Sequence, residues 1–246
     1  MTFCVAIKIA DGLVGIADTR VTSGSVHTTA RKVTVHQNGL YPMFLMTSGL
    51  RSVRDKALTY FEEELEQEGK IFNRLYQAVN AFAAQVRRVA NEDKQALEES
   101  GLEFNLFSII GGQLEKDKEH KLYLLYPQGN WIEVTESSPY FLIGETSYGK
   151  PIIDRVLRYG SDMETALKVA YLAFDSTRIS AVDVGFPIDV VLYGRDSFEI
   201  AQHAYDREDL QHLPQWWQDR LRASVEELPN EWVHQALAKL PGRDPR

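Results

Sequence analysis

The sequence predicts a four-layer αββα sandwich, an α+β fold in which two antiparallel sheets pack face to face and a helix pair covers each outer side. Apolar patterns and turn signals follow the order strands, two helices, strands, two helices, strands, which does not suit a right-handed parallel βαβ sheet. The chain has 246 residues, of which 44% are hydrophobic, enough for one sizeable core. No linker or repeat interrupts residues 1–205, so we expect a single domain there.

Two strand pairs open the predicted fold. Asp11-Gly12 is a strong signal for a tight turn between two strands, and Asn38-Gly39 gives the same signal further along. A loop over residues 22–30 separates the pairs. The strands of this block are predicted at residues 4–9, 13–18, 33–36 and 41–47.

The remaining elements follow from helical and strand periodicity. Helices are predicted at residues 52–68, 72–97, 147–159 and 163–174. The second of them carries an apolar stripe at three- and four-residue spacing, formed by Phe72, Leu75, Tyr76, Val79, Phe82, Val86 and Val89. Strands are predicted at residues 104–110, 121–126, 131–134, 140–143, 188–193 and 198–205.

Residues 206–246 are predicted to form a separate helical tail. Pro229-Asn230 interrupts the apolar spacing and serves as a helix start. A short tail with exposed tryptophans does not suit a monomer surface, so two interpretations stay open: packing against the parent domain, or contact with another subunit. The apolar residues concerned are Trp216, Trp217, Leu221, Val225, Trp232, Val233, Ala236, Leu237 and Leu240.

Composition excludes several functional classes. The formal net charge is −8 and no basic patch is visible, which argues against a nucleic-acid partner. No segment approaches roughly 18 consecutive apolar residues, so we expect no membrane partner and a cytoplasmic location. The single cysteine, Cys4, forms no internal disulfide. The six histidines share no ligand spacing, and we expect neither a metal nor an organic cofactor.

One segment competes as a nucleotide site. "GETSYGKP", residues 144–151, matches the first seven positions of a phosphate-binding loop and lies between a predicted strand and a predicted helix. Pro151 stands where a hydroxyl should bind Mg²⁺, and proline also removes a backbone donor. A glycine-rich helix entry with proline in its first turn is therefore the better interpretation.

Thr2 carries the chemistry that we favour. If Met1 is removed, Thr2 presents a hydroxyl nucleophile and an α-amine with a pKa of about 7.7 to 8.0. The amine can accept the hydroxyl proton directly or through one water, which is the N-terminal threonine version of a nucleophile and its base. A threonine after the start codon is common by itself, so its assignment as a nucleophile depends on other residues of the sequence.

The chain resembles the proteasome β-subunit family, and most closely its bacterial ancestral branch, Anbu. The residues that carry the resemblance span residues 2–200, and the order of predicted elements is the order in that family. The resemblance implies the αββα fold of the N-terminal-nucleophile hydrolases. The matching segments are "TFCV", "GIADTR", "ARKVTVH", "MTSGL" and "SAVDVGFPIDVVLY".

The resemblance assigns roles to residues near Thr2. Lys32 would lie beneath the Thr2 hydroxyl and lower its pKa, and Asp18 would hold the lysine ammonium in place. Gly49 would donate its backbone N–H to the oxyanion of a tetrahedral intermediate. Arg20 would order the loop beside the aspartate.

The resemblance also assigns supporting and substrate-binding residues. Thr47 and Arg51, which flank Gly49 in the chain, would line the pocket for the substrate side chain. Ser147 matches a serine near the N-terminal amine. In the later segment the family has an aspartate followed by a serine, whereas here Ser180 precedes Asp183. This reversal leaves two interpretations of that pair open, either support of the amine or a structural loop.

These residues predict a threonine-type peptidase without a cofactor. The resemblance implies a homo-oligomer, ring-like or an open helical washer, that confines its sites and takes peptides or unfolded protein as substrates. An unfoldase partner cannot be identified from the sequence. Two alternatives stay open: an amidase that acts on a small amide, and a non-catalytic assembly subunit with the same fold.

Overall fold

The structure is a computed structural model. It describes residues 2–23, 26–37, 42–67 and 72–240. The chain divides into two compact units, Met1–Arg207 and Glu208–Arg246. The predicted turn at Asn38-Gly39, and the predicted strand and helix ends at residues 41 and 68, lie outside the described residues.

The first half of the larger unit contains β1 (Phe3–Ile9), β2 (Gly12–Asp18), β3 (Arg20–Ser23), β4 (Val26–Thr29), β5 (Val33–His36), β6 (Met43–Gly49), α1 (Arg51–Leu65) and α2 (Leu75–Glu99). The second half contains β7 (Leu106–Gly112), β8 (Lys121–Leu125), β9 (Trp131–Glu133), β10 (Tyr140–Gly144), α3 (Lys150–Val156), α4 (Met163–Ser180), β11 (Ile188–Gly194) and β12 (Ile200–Tyr205).

Two five-stranded antiparallel sheets form the centre of this unit. The first sheet has the order β10-β1-β2-β11-β12, and the second has the order β5-β6-β7-β8-β9. The predicted hairpin at Asp11-Gly12 is present, and it pairs Cys4 of β1 with Ala17 of β2. Because β1 lies between β10 and β2, both neighbours help to fix the start of β1.

Alternate residues of β6 show how the layers are built. Met43 and Leu45 belong to the apolar core that the second sheet shares with α1 and α2. Phe44 and Met46 point the other way, into the core between the two sheets. On the far side, α4 packs against β1 and β2. The predicted αββα fold class is therefore confirmed.

Several element bounds differ from the prediction for local reasons. The β3–β4 hairpin begins before the predicted loop at residues 22–30 and takes up most of it; its four residue pairs run from Arg20 with Thr29 to Ser23 with Val26. Helix α4 continues six residues beyond residue 174 and ends at Ser180. This extension is stabilised by backbone hydrogen bonding and by an ion pair between Arg178 and Asp175 at 2.6 Å.

The start of α2 is set by side chains rather than by its apolar stripe. The N–H groups of Asn73 and Arg74 both donate to the side-chain oxygen of Gln77, at 2.9 and 3.1 Å. The N–H of Leu75 donates to Asp117 at 2.8 Å. These contacts satisfy the free donors of the first turn, so the helix begins at Leu75 and not at residue 72.

The smaller unit contains α5 (His212–Glu226) and α6 (Glu231–Leu237), and neither helix has a buried residue. Trp216 and Trp232 are 52% and 62% exposed. None of the helices in the described ranges has the length and apolar character that a bilayer-spanning helix needs.

Candidate active site

The chain is held tightly at Thr2, where β1 begins. The N–H of Phe3 donates to Oδ1 of Asp18 at 2.8 Å, and the carbonyl of Thr2 accepts from the N–H of Glu145 at 2.7 Å. Gly144 has a φ of +88°, and a Cβ there would lie 1.9 Å from the Thr2 carbonyl oxygen. A side chain at position 144 would therefore displace Thr2, so glycine is required for this close approach.

Lys32 and Asp18 form a buried ion pair beside this strand end. Nζ of Lys32 lies 2.6 Å from Oδ1 of Asp18, and the two side chains are 5% and 0% exposed. The ammonium also donates to the carbonyl of Arg20 at 2.7 Å. One carboxylate oxygen thus binds both the ammonium of Lys32 and the peptide N–H that follows Thr2. This geometry brings Lys32 to the start of β1.

Burial and hydrogen bonding act in opposite directions on Asp18. Burial raises the pKa of its carboxyl group, while the Lys32 ammonium and the N–H groups of Phe3 and Gly185 lower it. A buried carboxylate is retained only when such donors compensate for its lost hydration. Among the described residues, Oδ2 makes no hydrogen bond of normal geometry. The ion pair is therefore maintained mainly through Oδ1.

Arg20 connects this pair to the segment after α4. Its NH1 donates to the carbonyl of Val182 at 3.0 Å. A Cβ at Gly185 would lie 2.5 Å from the Arg20 guanidinium carbon, so only glycine allows this approach without a shift. The structure therefore supports an ordering role for Arg20.

Cys4 is the second nucleophilic side chain near the start of β1, and it is fully buried. Its Sγ lies 3.9 Å from the carbonyl oxygen of Thr47. Burial raises the pKa of this thiol strongly, so the reactive thiolate is not formed near neutral pH. Cys4 therefore serves as a core residue.

Gly49 ends β6 and leads into α1. Its φ is +141°, and a Cβ there would lie 2.0 Å from the carbonyl oxygen of Asn105. Thr47, two residues earlier, is 3% exposed, and its N–H donates to the carbonyl of Lys32 at 3.0 Å. Arg51 begins α1 with a side chain that is 64% exposed. The structure thus places the predicted oxyanion and pocket residues on one strand-to-helix connection next to Lys32.

The predicted supporting residues lie on two other segments. Ser147 is exposed in the turn before α3, and its N–H donates to the carboxylate of Glu145 at 3.0 Å. Because Glu145 also binds the Thr2 carbonyl, Ser147 is linked to Thr2 through one residue. Ser180 is the exposed last residue of α4, and Asp183 is half-buried in the following turn. Ser180 thus belongs to a helix and not to the predicted loop.

The lysine of the "GETSYGKP" segment is engaged in other contacts. Helix α3 begins at Lys150, with Pro151 in its first turn. Nζ of Lys150 donates to the hydroxyl of Tyr140 at 2.7 Å and to Asp154 at 2.9 Å. These contacts fit the expected helix entry.

The sequence interpretation did not assign Gly144, Glu145 and Gly185 to the site. All three act through backbone groups or close backbone approach. Glycine and a backbone donor carry no chemical signature in a single sequence, so only positive φ or a short contact in the structure identifies them.

Comparisons with known proteins identify the family to which the chain belongs. The family model "Proteasome subunit" matches residues 2–192. No curated protein matches the chain by sequence. Among solved structures, an Anbu (Gly-1) mutant from Hyphomicrobium sp. strain MC1 is 32% identical, with a TM-score of 0.85. That match covers 93% of this chain and 98% of the other.

Two further structures are similar over the same extent. Anbu (ancestral beta-subunit) from Yersinia bercovieri is 31% identical with a TM-score of 0.85, and the match covers 93% of this chain and 98% of that one. The helical assembly of the Anbu complex from Pseudomonas aeruginosa is 30% identical with a TM-score of 0.86, covering 93% and 97%. The chain therefore belongs to the proteasome subunit family, in its ancestral β-subunit (Anbu) branch, and has the N-terminal-nucleophile hydrolase fold.

Proposed function

We propose that the chain is a threonine-type peptidase in which Thr2 becomes N-terminal by removal of Met1 and attacks peptide bonds. One observation carries the proposal: Oδ1 of Asp18 binds both the Lys32 ammonium and the N–H of Phe3. Because both groups bind the same oxygen, the ammonium lies near the peptide N–H that follows Thr2, which supports Thr2 as the nucleophile. A cation there stabilises the negative charge that develops on the Thr2 hydroxyl oxygen.

In the first step, the free α-amine of Thr2 accepts the hydroxyl proton, directly or through a water. The oxygen attacks the substrate carbonyl carbon, and the carbonyl π electrons move to the oxygen and form an oxyanion. The backbone N–H of Gly49 donates to that oxyanion, a type of contact worth roughly 10²- to 10³-fold in kcat. The side chain of Lys32 is held in place by Asp18 and the Arg20 carbonyl.

In the second step, the tetrahedral intermediate collapses and the C–N bond breaks. The leaving amine takes the proton from the Thr2 ammonium, and the acyl group remains on Thr2 as an ester. A water then attacks the ester with the α-amine as its base, which releases the acid and restores the hydroxyl. In this scheme Ser147, Ser180 and Asp183 support the amine and the water. Ser180 does so from the end of α4.

We propose that the substrates are peptides or unfolded protein and that the chain forms a homo-oligomer. The similar Anbu complex from Pseudomonas aeruginosa forms a helical assembly. The exposed apolar residues of α5 and α6, Trp232 among them, are suited to subunit contacts. An assembly that confines the sites would restrict access to extended chains.

The test compares three proteins on a mixed peptide library read by mass spectrometry: the wild type, Thr2→Ser and Thr2→Ala. Thr2→Ser keeps a hydroxyl beside an α-amine, so it should retain measurable cleavage. Thr2→Ala should lose nearly all turnover, because the nucleophile acts as a unit with its base and lysine. Light scattering and circular dichroism should show unchanged assembly and fold in both variants. Thr2→Ala with near wild-type cleavage would refute the proposal.

A further inference from the structure

We propose that the site prefers substrates with an acidic side chain, Glu or Asp, next to the scissile bond. The inference rests on the proposed function and adds a substrate class to it. The whole chain carries a net charge of −8, so general electrostatics would repel such substrates. Attraction must therefore come from a local group of charges.

Three arginines, which we call the arginine rim, lie beside the candidate site: Arg31, Arg51 and Arg54. Arg31 immediately precedes Lys32, and Arg51 follows Gly49 by two residues. Arg54 joins the two segments, because its NH1 donates to the carbonyl of Arg31 at 3.2 Å. The side chains of Arg31 and Arg51 are 66% and 64% exposed, whereas that of Arg54 is 14% exposed.

The nearby carboxylates compensate for only part of this charge. Asp55 binds Arg54 at 2.6 Å and Arg51 at 3.2 Å, so one carboxylate serves two guanidinium groups. Asp189 lies 3.9 Å from Arg31, a distance too long for a hydrogen bond. Burial raises the pKa of Asp189, which weakens its value as a counter-charge. The arginine rim is therefore net positive.

The helix that carries two of these arginines adds to the positive potential. Helix α1 has no acidic residue in its first turn, and its N-cap, Leu50, provides no side-chain cap. The N-terminus of a helix bears a partial positive charge, and cations there are unfavourable. Arg51 and Arg54 occupy that turn nevertheless. An anionic ligand would relieve this unfavourable arrangement.

A separate observation points to a ligand at the same place. Thr47 is 3% exposed, and among the described residues its hydroxyl has no hydrogen-bond partner. It lies on the same face of β6 as Leu45, the face that α1 covers. The hydroxyl is therefore a free donor beneath the first turn of α1, where an acidic side chain would need one.

Arg51 is the residue best suited to bind the substrate carboxylate. Within the described part of the chain its guanidinium donates only through Nε, to Asp55. The two terminal NH₂ groups can then bind a carboxylate in the bidentate geometry that arginine prefers. Asp55 holds the Arg51 guanidinium at its Nε, away from the two terminal NH₂ groups. For an exposed arginine, such a contact favours Glu over Gln by up to about fivefold.

The test measures binding separately from cleavage. Thr2→Ala protein is titrated with three fluorescein-labelled peptides, Ala-Ala-Xaa-Ala-Ala with Glu, Gln or Lys at the centre, and anisotropy gives each Kd. The Glu peptide should bind up to about fivefold more tightly than the Gln peptide at low salt, and the Lys peptide should bind most weakly. The difference should shrink as salt is raised, because exposed charges are screened.

Two variants in the same background identify the residue. Arg51→Gln should remove most of the preference for Glu. Arg88→Gln is the matched control, because Arg88 is also exposed and also pairs with an acid four residues on. This control should leave the preference unchanged.

Equal binding of the Glu and Gln peptides, or no binding of any of them, would overturn the inference. A preference for Glu that survives in Arg51→Gln would overturn it as well. Because binding is read on a protein without its nucleophile, failure of cleavage in the wild type would count against the proposed peptidase and not against this inference.

Discussion

Replacing Asp18 by Asn tests the buried ion pair directly. The variant leaves the Lys32 ammonium 5% exposed, without its charge partner and with only the Arg20 carbonyl and a neutral amide. Removing one partner of a buried pair costs about 3–5 kcal/mol, a large share of the roughly 5–15 kcal/mol that stabilises most proteins. For a chain of this size we expect Tm to fall by ~6–20 °C, and peptide hydrolysis should fall at the same time because Lys32 loses its anchor.

The assay is thermal and urea unfolding, with circular dichroism as the readout. All proteins are compared at one fixed concentration, since assembly also shifts Tm. Asp154→Asn is the control: Asp154 is 48% exposed and also pairs with a lysine, and this pair should be worth less than about 1 kcal/mol. The double variant Asp18→Asn/Lys32→Met should regain stability relative to Asp18→Asn, because no buried charge remains, yet stay inactive. An Asp18→Asn protein with wild-type Tm and turnover would refute the reasoning.

The single variant Lys32→Met adds a pH dependence whose sign follows from Asp18. Burial already raises the pKa of this carboxyl, and Lys32 is the main group that opposes the rise. Without Lys32 the pKa of Asp18 rises further, so the folded state favours the protonated acid. The stability deficit relative to wild type should be small near pH 4 and grow as the pH rises towards neutrality. Urea unfolding across this range measures it, and a deficit that shrinks with rising pH would contradict the assignment.

Three further predictions concern other parts of the chain. Gly144→Ala should lower both Tm and turnover, because its Cβ would lie 1.9 Å from the Thr2 carbonyl oxygen; unchanged turnover would show that the position of Thr2 is not critical. Hydrogen bonds from Lys121 and Lys8 hold the pKa of Glu119 at about 2, so wild type should lose a modest part of its stability, below about 1 kcal/mol, as pH falls from about 4.5 to 2. Glu119→Gln should lack that loss in urea unfolding, and identical pH profiles would contradict the assignment. Removal of residues 208–246 should give smaller particles in light scattering with the fold of the larger unit retained, and an unchanged particle size would place the tail outside the subunit contacts.

The sequence predicted the fold class because turn and periodicity signals are local. Asp11-Gly12 specifies a tight turn wherever it occurs between strand patterns. The apolar stripe at residues 72–89 repeats over about five helical turns. The β3–β4 hairpin escaped prediction because polar residues dominate its four-residue strands. The extension of α4 depends on Asp175 and Arg178, whose ion pair the apolar periodicity does not reveal.

Only part of the candidate site could be predicted from the sequence. Lys32 and Asp18 are 14 positions apart in the sequence, and only the resemblance to a known family suggested that they meet; the structure brings them to 2.6 Å. The contacts of Gly144 and Gly185 are made by backbone atoms, so the identity of neighbouring residues does not indicate them. Charge accumulation around Arg51 likewise depends on Arg31 and Arg54, which only the fold brings together.

The most direct measurement of the proposed chemistry is mass spectrometry of the protein quenched in acid after mixing with a peptide substrate. The intact mass of the resting protein should lack Met1. The quenched sample should contain a second species, heavier by the acyl part of the substrate, and fragmentation should locate this addition on the hydroxyl of Thr2. Lys32→Met should accumulate less of it, and Thr2→Ala none. A protein that retains Met1 while it cleaves peptides, or an acyl group on any residue other than Thr2, would contradict an N-terminal threonine nucleophile.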